Sequence, residues 1–193
     1  MKTPFKAIFA AMLALAVSCT KQSTVIRSSS VSQSTAATPT FTIGQHYGGG
    51  IIFYIDATGE HGLIADEFDL TPSAWDNGTF ITTGATATAV GTGALNTKTI
   101  VQAQGKPGNY AALRCWKLDN NGYTDWFLPS MQELDKLFQQ KDVVGNFSVG
   151  ENDYYWSSSE VNNRKAYEIL FFDGILFKQI KGAKRHVRAI RAF

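Results

Sequence analysis

Cysteine usage limits how this chain can be held together. The 193 residues contain two cysteines, Cys19 and Cys115. Cys19 closes an amino-terminal segment typical of exported proteins, where we expect it to be covalently modified, so Cys115 has no partner for an internal disulfide. The fold must therefore be stabilised by packing alone, and Cys115 is predicted to be a small buried apolar residue rather than a reactive thiol.

The amino-terminal segment predicts export and lipid attachment. Lys2 and Lys6 precede an apolar stretch at residues 7–17, which is too short to cross a bilayer because a spanning helix needs about 20 apolar residues. The run LAVSC that ends at Cys19 resembles a bacterial lipobox. We expect residues 1–18 to be removed as a signal peptide and Cys19 to carry the lipid of an outer-membrane lipoprotein, with its periplasmic or surface orientation left open. An ordinary signal peptide with an incidental cysteine is the alternative.

Residues 19–40 and 41–193 differ in composition. The first segment is mostly Ser, Thr, Ala and Gln without an aromatic residue. It cannot bury enough apolar surface to fold, so we predict a flexible tether with a root-mean-square span of about 25 Å. The second segment is rich in glycine and aromatic residues and has a length suited to a single domain.

The charge of the chain is nearly balanced but unevenly distributed. The formal net charge is +2, and without Lys2 and Lys6 the chain carries 16 basic and 16 acidic side chains. This balance, in an exported protein, argues against nucleic acid as a partner. Bases concentrate after residue 164, whereas residues 28–97 contain acids but no Lys or Arg. Either the two ends present separate faces, one of them suited to anions, or they pair with each other.

Hydrophobic runs predict two strands and a loop in the first half of the domain. Residues 51–56 form a run of β-branched and aromatic residues next to a glycine-rich turn. This pattern predicts a buried strand that turns into a second strand at residues 61–65. Residues 77–93 are rich in Gly and Thr with little periodicity, and we predict a long ordered loop.

Three helices are predicted in the middle of the domain. Asn96 is expected to cap a short helix at residues 97–103, and a second helix is predicted at residues 110–118 before an Asn-Asn-Gly stop. The third has the clearest start, because Ser130 as N-cap and Glu133 three residues later form a capping box. Apolar residues then recur at helical spacing, which predicts a helix packed against a core.

The carboxyl-terminal third is predicted to be β. Two strands, at residues 166–172 and 175–180, flank the dipeptide Asp173-Gly174, which a tight two-residue hairpin turn prefers. This turn places Phe171 opposite Leu176 and makes the hairpin tip apolar on both faces. The tip must therefore be buried or form a contact surface.

Motifs spread along the domain resemble one family. They are GGIIFY at residues 49–54, DWFLPS at 125–130 preceded by GY, YWSSSE at 155–160 and VRAIR at 187–191. In this order they resemble the Lcl C-terminal domain family of bacterial surface domains, over residues 44–193. The resemblance implies an α+β, C-type-lectin-like fold related to the sulfatase-modifying-factor group. It also implies a small twisted antiparallel sheet with two or three flanking helices, in which the first strand pairs with a last strand at residues 186–193.

Members of these related groups imply different activities. Resemblance to the adhesin members implies that the domain binds sulfated polysaccharide. Resemblance to the formylglycine-generating members implies an oxidase, which needs a cysteine pair late in the domain. This chain has no cysteine after Cys115 and lacks the Glu-Pro-Asn-like and Trp-Asn-Asp-like triplets of calcium-dependent lectins. Oxidase chemistry and calcium-bridged sugar binding are therefore disfavoured.

No residue pattern predicts a catalytic centre, a cofactor or a metal site. The three histidines lie outside any nucleophile elbow, and no spacing favours a carboxylate pair. The run Ser157-Ser158-Ser159 is interpreted as a structural turn whose hydroxyls cap backbone groups. Oxygen ligands around Asp119 and Glu160 match no EF-hand spacing, and we expect them to form loop turns.

Basic residues near the carboxyl terminus supply the candidate ligand site. Arg188 and Arg191 lie on a strand expected to be central, so we interpret them as buried partners of carboxylates such as Asp125 or Glu133. Other bases in this region are predicted to be exposed and able to meet sulfate or phosphate groups. These candidate ligand-binding residues are Lys178, Lys181, Lys184 and Arg185. A solvated loop without a ligand is the alternative.

Two functions fit these expectations. The first is a non-catalytic binding module, anchored to the membrane by lipid, whose basic loop and aromatic hairpin engage an anionic or sulfated glycan. The second is a structural or assembly component of an envelope protein complex, with the apolar hairpin as its contact surface. An enzyme of unassigned class is the least favoured reading.

Overall fold

The computed structural model describes residues 40–193. The predicted signal peptide at residues 1–18, Cys19 and the predicted tether up to residue 39 lie outside the described residues. The elements are, in chain order, β1 (His46–Tyr47), β2 (Gly50–Ile55), β3 (Gly62–Ala65), β4 (Leu70–Ser73), α1 (Gly93–Gln104), α2 (Ala111–Trp116), α3 (Met131–Gln139), α4 (Lys141–Val144), β5 (Tyr154–Glu160), β6 (Lys165–Leu170), β7 (Leu176–Ile180), β8 (Arg185–Val187) and β9 (Ile190–Ala192).

The strands of residues 40–193 form two sheets. The first has the order β1-β2-β3-β9 and the second has the order β4-β8-β5-β6-β7. Neighbouring strands are antiparallel except β5 and β8, which are parallel where Tyr155 lies beside His186. The four helices in this part of the chain all follow β4 and precede β5. The architecture is mixed α+β, as predicted, but residues 40–193 contain two sheets and one parallel strand pair in place of the single small antiparallel sheet that the resemblance implies.

The strands predicted at the start of the domain are confirmed. β2 and β3 pair in antiparallel register, with Ile52 opposite Ile64, and both residues are fully buried. The chain between β4 and α1 is the predicted long loop. Continuous apolar runs therefore identified the buried strands of the first sheet correctly.

The predicted last strand at residues 186–193 is in fact two strands in different sheets. β8 belongs to the second sheet and β9 to the first, and the chain passes between them at the buried residues Arg188 and Ala189. At this passage the Arg188 side chain turns inward, and its Nε donates to Asp69 Oδ1 at 2.7 Å. β9 pairs with β3. The expected pairing between the first predicted strand and the last strand is therefore wrong.

Helix α3 begins as predicted, whereas α1 begins earlier. The Glu133 N–H donates to Ser130 Oγ at 3.3 Å, and the Ser130 N–H donates to Glu133 Oε2 at 2.7 Å. These two bonds confirm the capping box. α1 begins at Gly93 rather than after Asn96, because the Asn96 amide does not cap the helix but donates to Ala87 O at 2.7 Å.

The predicted register of the β6–β7 hairpin is wrong. Leu176 pairs with Ile169 and not with Phe171. The connection is wider than a two-residue turn, and in it the Gly174 N–H donates to Leu170 O at 2.8 Å. Phe171 is fully buried among other aromatic rings. Burial of this ring outweighs the tight turn that the Asp-Gly dipeptide favours.

The buried side chains form two apolar clusters. One contains the three fully buried tryptophans Trp75, Trp126 and Trp156 together with Cys115. The other surrounds Phe53 and joins β2, β3, α3 and β5. Cys115 is buried as predicted, and burial raises the pKa of its thiol above the ordinary value. This thiol is therefore neutral and shielded.

Candidate functional site

Lys181 is buried, so the prediction that it is exposed is wrong. Its side chain has no solvent exposure and forms an ion pair with Glu160, which is also fully buried. The ammonium group donates to Ile81 O at 2.8 Å and lies 4.5 Å from the centre of the Trp75 ring. Because its charge is neutralised inside the domain, Lys181 cannot meet an external anion.

Glu160 connects the same ion pair to the long loop before α1. Its carboxylate accepts the N–H of Thr83 at 2.9 Å and that of Gly84 at 2.8 Å. The backbone of Lys181 also takes part, since Lys181 O accepts the Trp75 N–H at 2.8 Å. The pair of Glu160 and Lys181 is therefore a structural support of this loop.

Arg185 is half-buried and already has an internal partner. Its Nε donates to Glu168 Oε2 at 2.7 Å, and its guanidinium lies 4.8 Å from the centre of the Tyr154 ring. Burial raises the pKa of the Glu168 carboxyl, while the hydrogen bond and charge of Arg185 act in the opposite direction. A ligand anion would have to compete with this pair.

Lys178 and Lys184 are the two predicted ligand residues that are exposed. The Lys178 ammonium lies 5.6 Å from the centre of the Tyr167 ring. With Lys181 buried and Arg185 paired, the four candidates do not form one basic surface. The site predicted from the basic residues is thus reduced to two lysines, Lys178 in β7 and Lys184 in the connection between β7 and β8.

The two arginines near the carboxyl terminus are held by carboxylates. Arg191 Nε and Nη2 donate to the two oxygens of Asp125 at 2.7 and 2.9 Å, as predicted, and this hydrogen bonding lowers the pKa of the Asp125 carboxyl. Arg188 is buried and pairs with Asp69. Glu133 is the partner of neither arginine, because it caps α3. These residues are part of the framework and not of a ligand surface.

β7 is an edge strand whose large apolar side chains face solvent. Phe171 is the one residue of the predicted apolar tip that is buried. Exposed apolar residues that are contiguous on a surface mark interaction sites, whereas isolated ones do not. The exposed residues, with the exposed fraction of each, are Phe172 (55%), Ile175 (52%), Leu176 (43%), Phe177 (39%) and Ile180 (49%).

The hydrogen bonds between β6 and β7 show which backbone groups of β7 are used inside the sheet. The Leu170 N–H donates to Ile175 O at 3.0 Å, and the Lys181 N–H donates to Arg164 O at 2.9 Å. In an antiparallel ladder, residues on one strand alternate between facing their partner strand and facing away. The odd-numbered residues of 175–181 therefore face β6.

The even-numbered residues of β7 direct their backbone groups away from the sheet. By the same alternation, the N–H and C=O groups of Leu176, Lys178 and Ile180 point outward. The Ile180 N–H is bonded to Gln179 Oε1 at 2.8 Å. The outward N–H groups of Leu176 and Lys178 leave room for a further strand. We call β7 with Phe172 and Ile175 the edge surface.

The serine run lies in β5 and not in a turn. Its predicted capping role is confirmed, because Ser159 Oγ donates to Ala87 O at 2.7 Å and Ser157 Oγ donates to Tyr167 O at 2.8 Å. Within residues 40–193, no cluster of three or more His, Cys, Asp and Glu side chains could hold a metal ion. The serines are thus part of the packing between β5 and its neighbours.

The sequence predicted only part of what the edge surface shows. The apolar residues on both faces of the hairpin indicated burial or contact, but they could not distinguish the two. Which outcome applies depends on strand order, because β6 is covered on both sides by β5 and β7 while β7 has a neighbour on one side. Strand order depends on residues far apart in the sequence, so no local signal identified β7 as an edge.

Residues 40–193 therefore form a mixed α+β domain whose edge strand β7 exposes apolar side chains and whose predicted basic residues do not form one surface. The family model of the Lcl C-terminal domain matches residues 71–191. The chain belongs to the Lcl C-terminal domain family, as its motifs predict.

The fold is also similar to that of a solved protein. A crystal structure of a fimbrial protein from Bacteroides ovatus ATCC 8483 matches with a TM-score of 0.50 and 14% sequence identity, over 73% of this chain and 43% of that chain. This chain thus spans less than half the length of that protein, and the likeness concerns the fold alone. No curated protein matches the chain. None of the helices in residues 40–193 has the length and apolar character to cross a membrane.

Proposed function

We propose that this chain is a lipid-anchored, non-catalytic surface protein whose domain assembles with an envelope protein through the edge surface. The observation that supports this most strongly is the run of exposed apolar residues on β7. The lipid on Cys19 would hold the domain at the outer membrane. The partner would contribute an extended strand.

The physical argument concerns what edge strands normally avoid. Soluble proteins protect their edges with charges, proline, bulges or very short strands, because an open edge is a template for another strand. β7 has five residues and its one charged residue is Lys178. A partner strand would satisfy the outward groups of Leu176 and Lys178 and would cover the apolar side chains of the edge surface, which is the usual mode of strand addition.

The comparisons are consistent with this proposal. The family is one of bacterial surface domains by its resemblance, and a protein described as fimbrial has a similar fold. A surface structural module needs a contact surface for other proteins. The edge surface supplies one.

Lys178→Pro and Lys178→Ala form a matched pair that tests strand addition. Both variants remove the lysine charge, but Pro alone removes the outward N–H. Proline is tolerated at such outward positions of an edge strand, so the β6–β7 ladder stays intact. We expect Lys178→Pro to weaken partner binding by about tenfold or more through a lost hydrogen bond and a steric block, and Lys178→Ala to bind nearly as the parent does.

The partner can be found by crosslinking in the producing cell. A photo-crosslinking amino acid replaces Leu176 on the edge surface or, as a control, Val143 on α4, whose exposed fraction of 50% is at least as large as the 43% of Leu176. We expect a specific protein adduct at position 176, absent at position 143 and lost in Lys178→Pro. Equal adducts at both positions, or an adduct that survives in Lys178→Pro, would contradict strand addition. An adduct with a second copy of this chain would show that the edge surface mediates self-assembly and does not bind an envelope protein.

Binding to an anionic glycan is the second candidate. It is favoured by the exposed bases at the end of the β6–β7 hairpin, which are Arg164, Lys165, Lys178 and Lys184. If charge attraction dominates, Lys178→Pro and Lys178→Ala lose the same small part of retention on a sulfated polysaccharide, and added salt releases the protein. Unequal effects of the two variants point to strand addition instead.

A further inference from the structure

A concave region lies beside α2, away from the edge surface. It has a volume of about 500 Å³ and lies between β4, the loop before α2 and the end of α2. Thr71, Asn109, Arg114, Lys117 and Asp119 contribute its polar lining. We call this region the α2 pocket. Nothing in the proposed assembly uses it.

Arg114 differs from the other arginines that are at least partly buried. Arg185, Arg188 and Arg191 each donate to a carboxylate. Arg114 forms neither a side-chain hydrogen bond nor an ion pair with any residue of 40–193, and its Nε is buried without a partner. Buried donors in native proteins are nearly always bonded, so an exception requires an explanation.

The surroundings of Arg114 suggest what is missing. Lys117 follows three residues later, so it lies near Arg114 at the end of α2, and it lines the same pocket. The side chains of Asn109 and Thr71 add neutral hydrogen-bond donors. Asp119 is the one carboxylate in the lining. Two cations against one anion leave the pocket with a net positive charge.

We propose that the α2 pocket is an oxyanion-binding site in which Arg114 is the principal donor and Lys117 the second cation. Guanidinium groups bind carboxylate and phosphate oxygens through paired, charge-assisted hydrogen bonds. An oxyanion in the pocket would accept from the Arg114 guanidinium, whose buried Nε has no acceptor within residues 40–193. The shared chemistry of the ligand is therefore an anionic oxygen group, either the carboxylate of a peptide or sugar acid or a phosphate ester.

Arginine Nε–H resonances of the ¹⁵N-labelled full chain report directly on this contact. The chain is titrated with methyl phosphate in one series and with acetate in the other, with ionic strength held constant by sodium chloride. We expect a saturable shift of the Arg114 Nε–H resonance and of the amides of Asn109 and Lys117. The series with the tighter binding identifies the phosphate or the carboxylate class.

Two variants and one control decide the assignment. Arg114→Gln is expected to weaken binding by about tenfold or more, because a charge-assisted hydrogen bond is lost. Lys117→Gln, which alters an exposed side chain and keeps the fold, is expected to weaken it several-fold. Arg164→Gln removes an exposed arginine outside the pocket and is expected to bind as the parent does.

Several results would overturn the proposal. One is the absence of any saturable shift in both series, as expected if a buried water bonds Arg114 Nε. Another is a Lys117→Gln protein that binds as tightly as the parent. A loss in Arg164→Gln as large as that in Arg114→Gln would show general charge screening in place of a site.

Discussion

At the residue scale, Lys181 was expected to bind a ligand, but it forms a buried ion pair with Glu160 that supports the fold. Both side chains are fully buried, and their neighbours in the long loop bond to Glu160. Removing one partner of such a pair leaves an uncompensated buried charge. The pair therefore tests whether this region supports the fold.

Lys181→Met is expected to lower the free energy of unfolding by about 3–5 kcal/mol, as measured by urea denaturation. The double variant Glu160→Gln with Lys181→Met removes both charges and should recover part of that loss. Lys184→Met is the control, because Lys184 is exposed and its replacement should change stability by about 0.5 kcal/mol or less. Equal small effects of Lys181→Met and Lys184→Met would show that Lys181 is exposed in solution.

Glu133 gives the domain a pH dependence of known sign. Burial raises the pKa of its carboxyl above the ordinary value of 4.5, although bonds from Ser130 and Gly91 act in the opposite direction. The folded chain therefore binds this proton more tightly than the unfolded chain does, so its contribution to stability falls as the pH rises from the unfolded pKa through the folded one.

Glu133→Gln cannot ionise and should lose this part of the pH dependence. The excess stability of the parent over Glu133→Gln is expected to shrink as the pH rises above the ordinary carboxyl pKa of 4.5, as followed by urea denaturation at each pH. An excess that grows over this range would mean that hydrogen bonding outweighs burial at Glu133.

At the element scale, Gly174 determines how the β6–β7 hairpin closes. Gly174 has φ of +82°, and a Cβ added there would lie 2.8 Å from Phe138 Cζ. Gly59 has a similar φ of +77° with no atom within 4 Å of its added Cβ. The two glycines differ in the space around them and not in backbone conformation.

Gly59→Ala should therefore lose about 1 kcal/mol from the left-handed conformation alone, whereas Gly174→Ala should lose a further amount of about 1–3 kcal/mol from the clash with the Phe138 ring. Thermal and urea denaturation of both variants measure the difference. Equal losses of stability in the two variants would show that the Phe138 ring does not pack against Gly174.

Elements specified by neighbouring residues were predictable, and those specified by distant contacts were not. The capping box of Ser130 and Glu133 and the apolar run of β2 are local signals, and both were predicted correctly. The predicted register of the β6–β7 hairpin was wrong because the burial of Phe171 in the core outweighs the preference of Asp173-Gly174 for a tight turn. The prediction of a single last strand was wrong because the interior partners of Arg188, which are Asp66, Asp69, Gly145 and Asn146, lie between 42 and 122 residues away in the sequence.

The predictions for the candidate ligand site were also limited by contacts between residues far apart in the sequence. A cluster of bases near the carboxyl terminus is typical of a solvated basic loop, and nothing next to Lys181 in the sequence indicates that Glu160 and Trp75 enclose it. The prediction that the hairpin tip is buried or forms a contact surface is met by burial at Phe171, and contact with a partner stays a prediction for the exposed residues. That Phe171 is buried while Phe172 is exposed depends on strand order. The relation to C-type lectins stays a prediction.

At the scale of the whole molecule, the proposed function requires an anchor and a contact surface. Cys19→Ser should release the protein from the membrane fraction, because a serine at this position cannot form the thioether through which the lipid is attached. Mass spectrometry of the parent should find acyl chains on Cys19 as its first residue. A parent chain without acyl chains, or a Cys19→Ser protein that remains in membranes, would contradict lipid anchoring.

Hydrogen exchange at β7 of the parent chain, in its non-covalent complex with the partner that crosslinking identifies, tests strand addition most directly. The amides of Leu176 and Lys178 point away from the sheet in the free chain, so a partner strand should slow their exchange by about tenfold or more. Amides of odd-numbered residues, already bonded to β6, should change less. If Leu176 and Lys178 exchange in the intact complex as fast as in the free chain, the partner does not bind as an added strand.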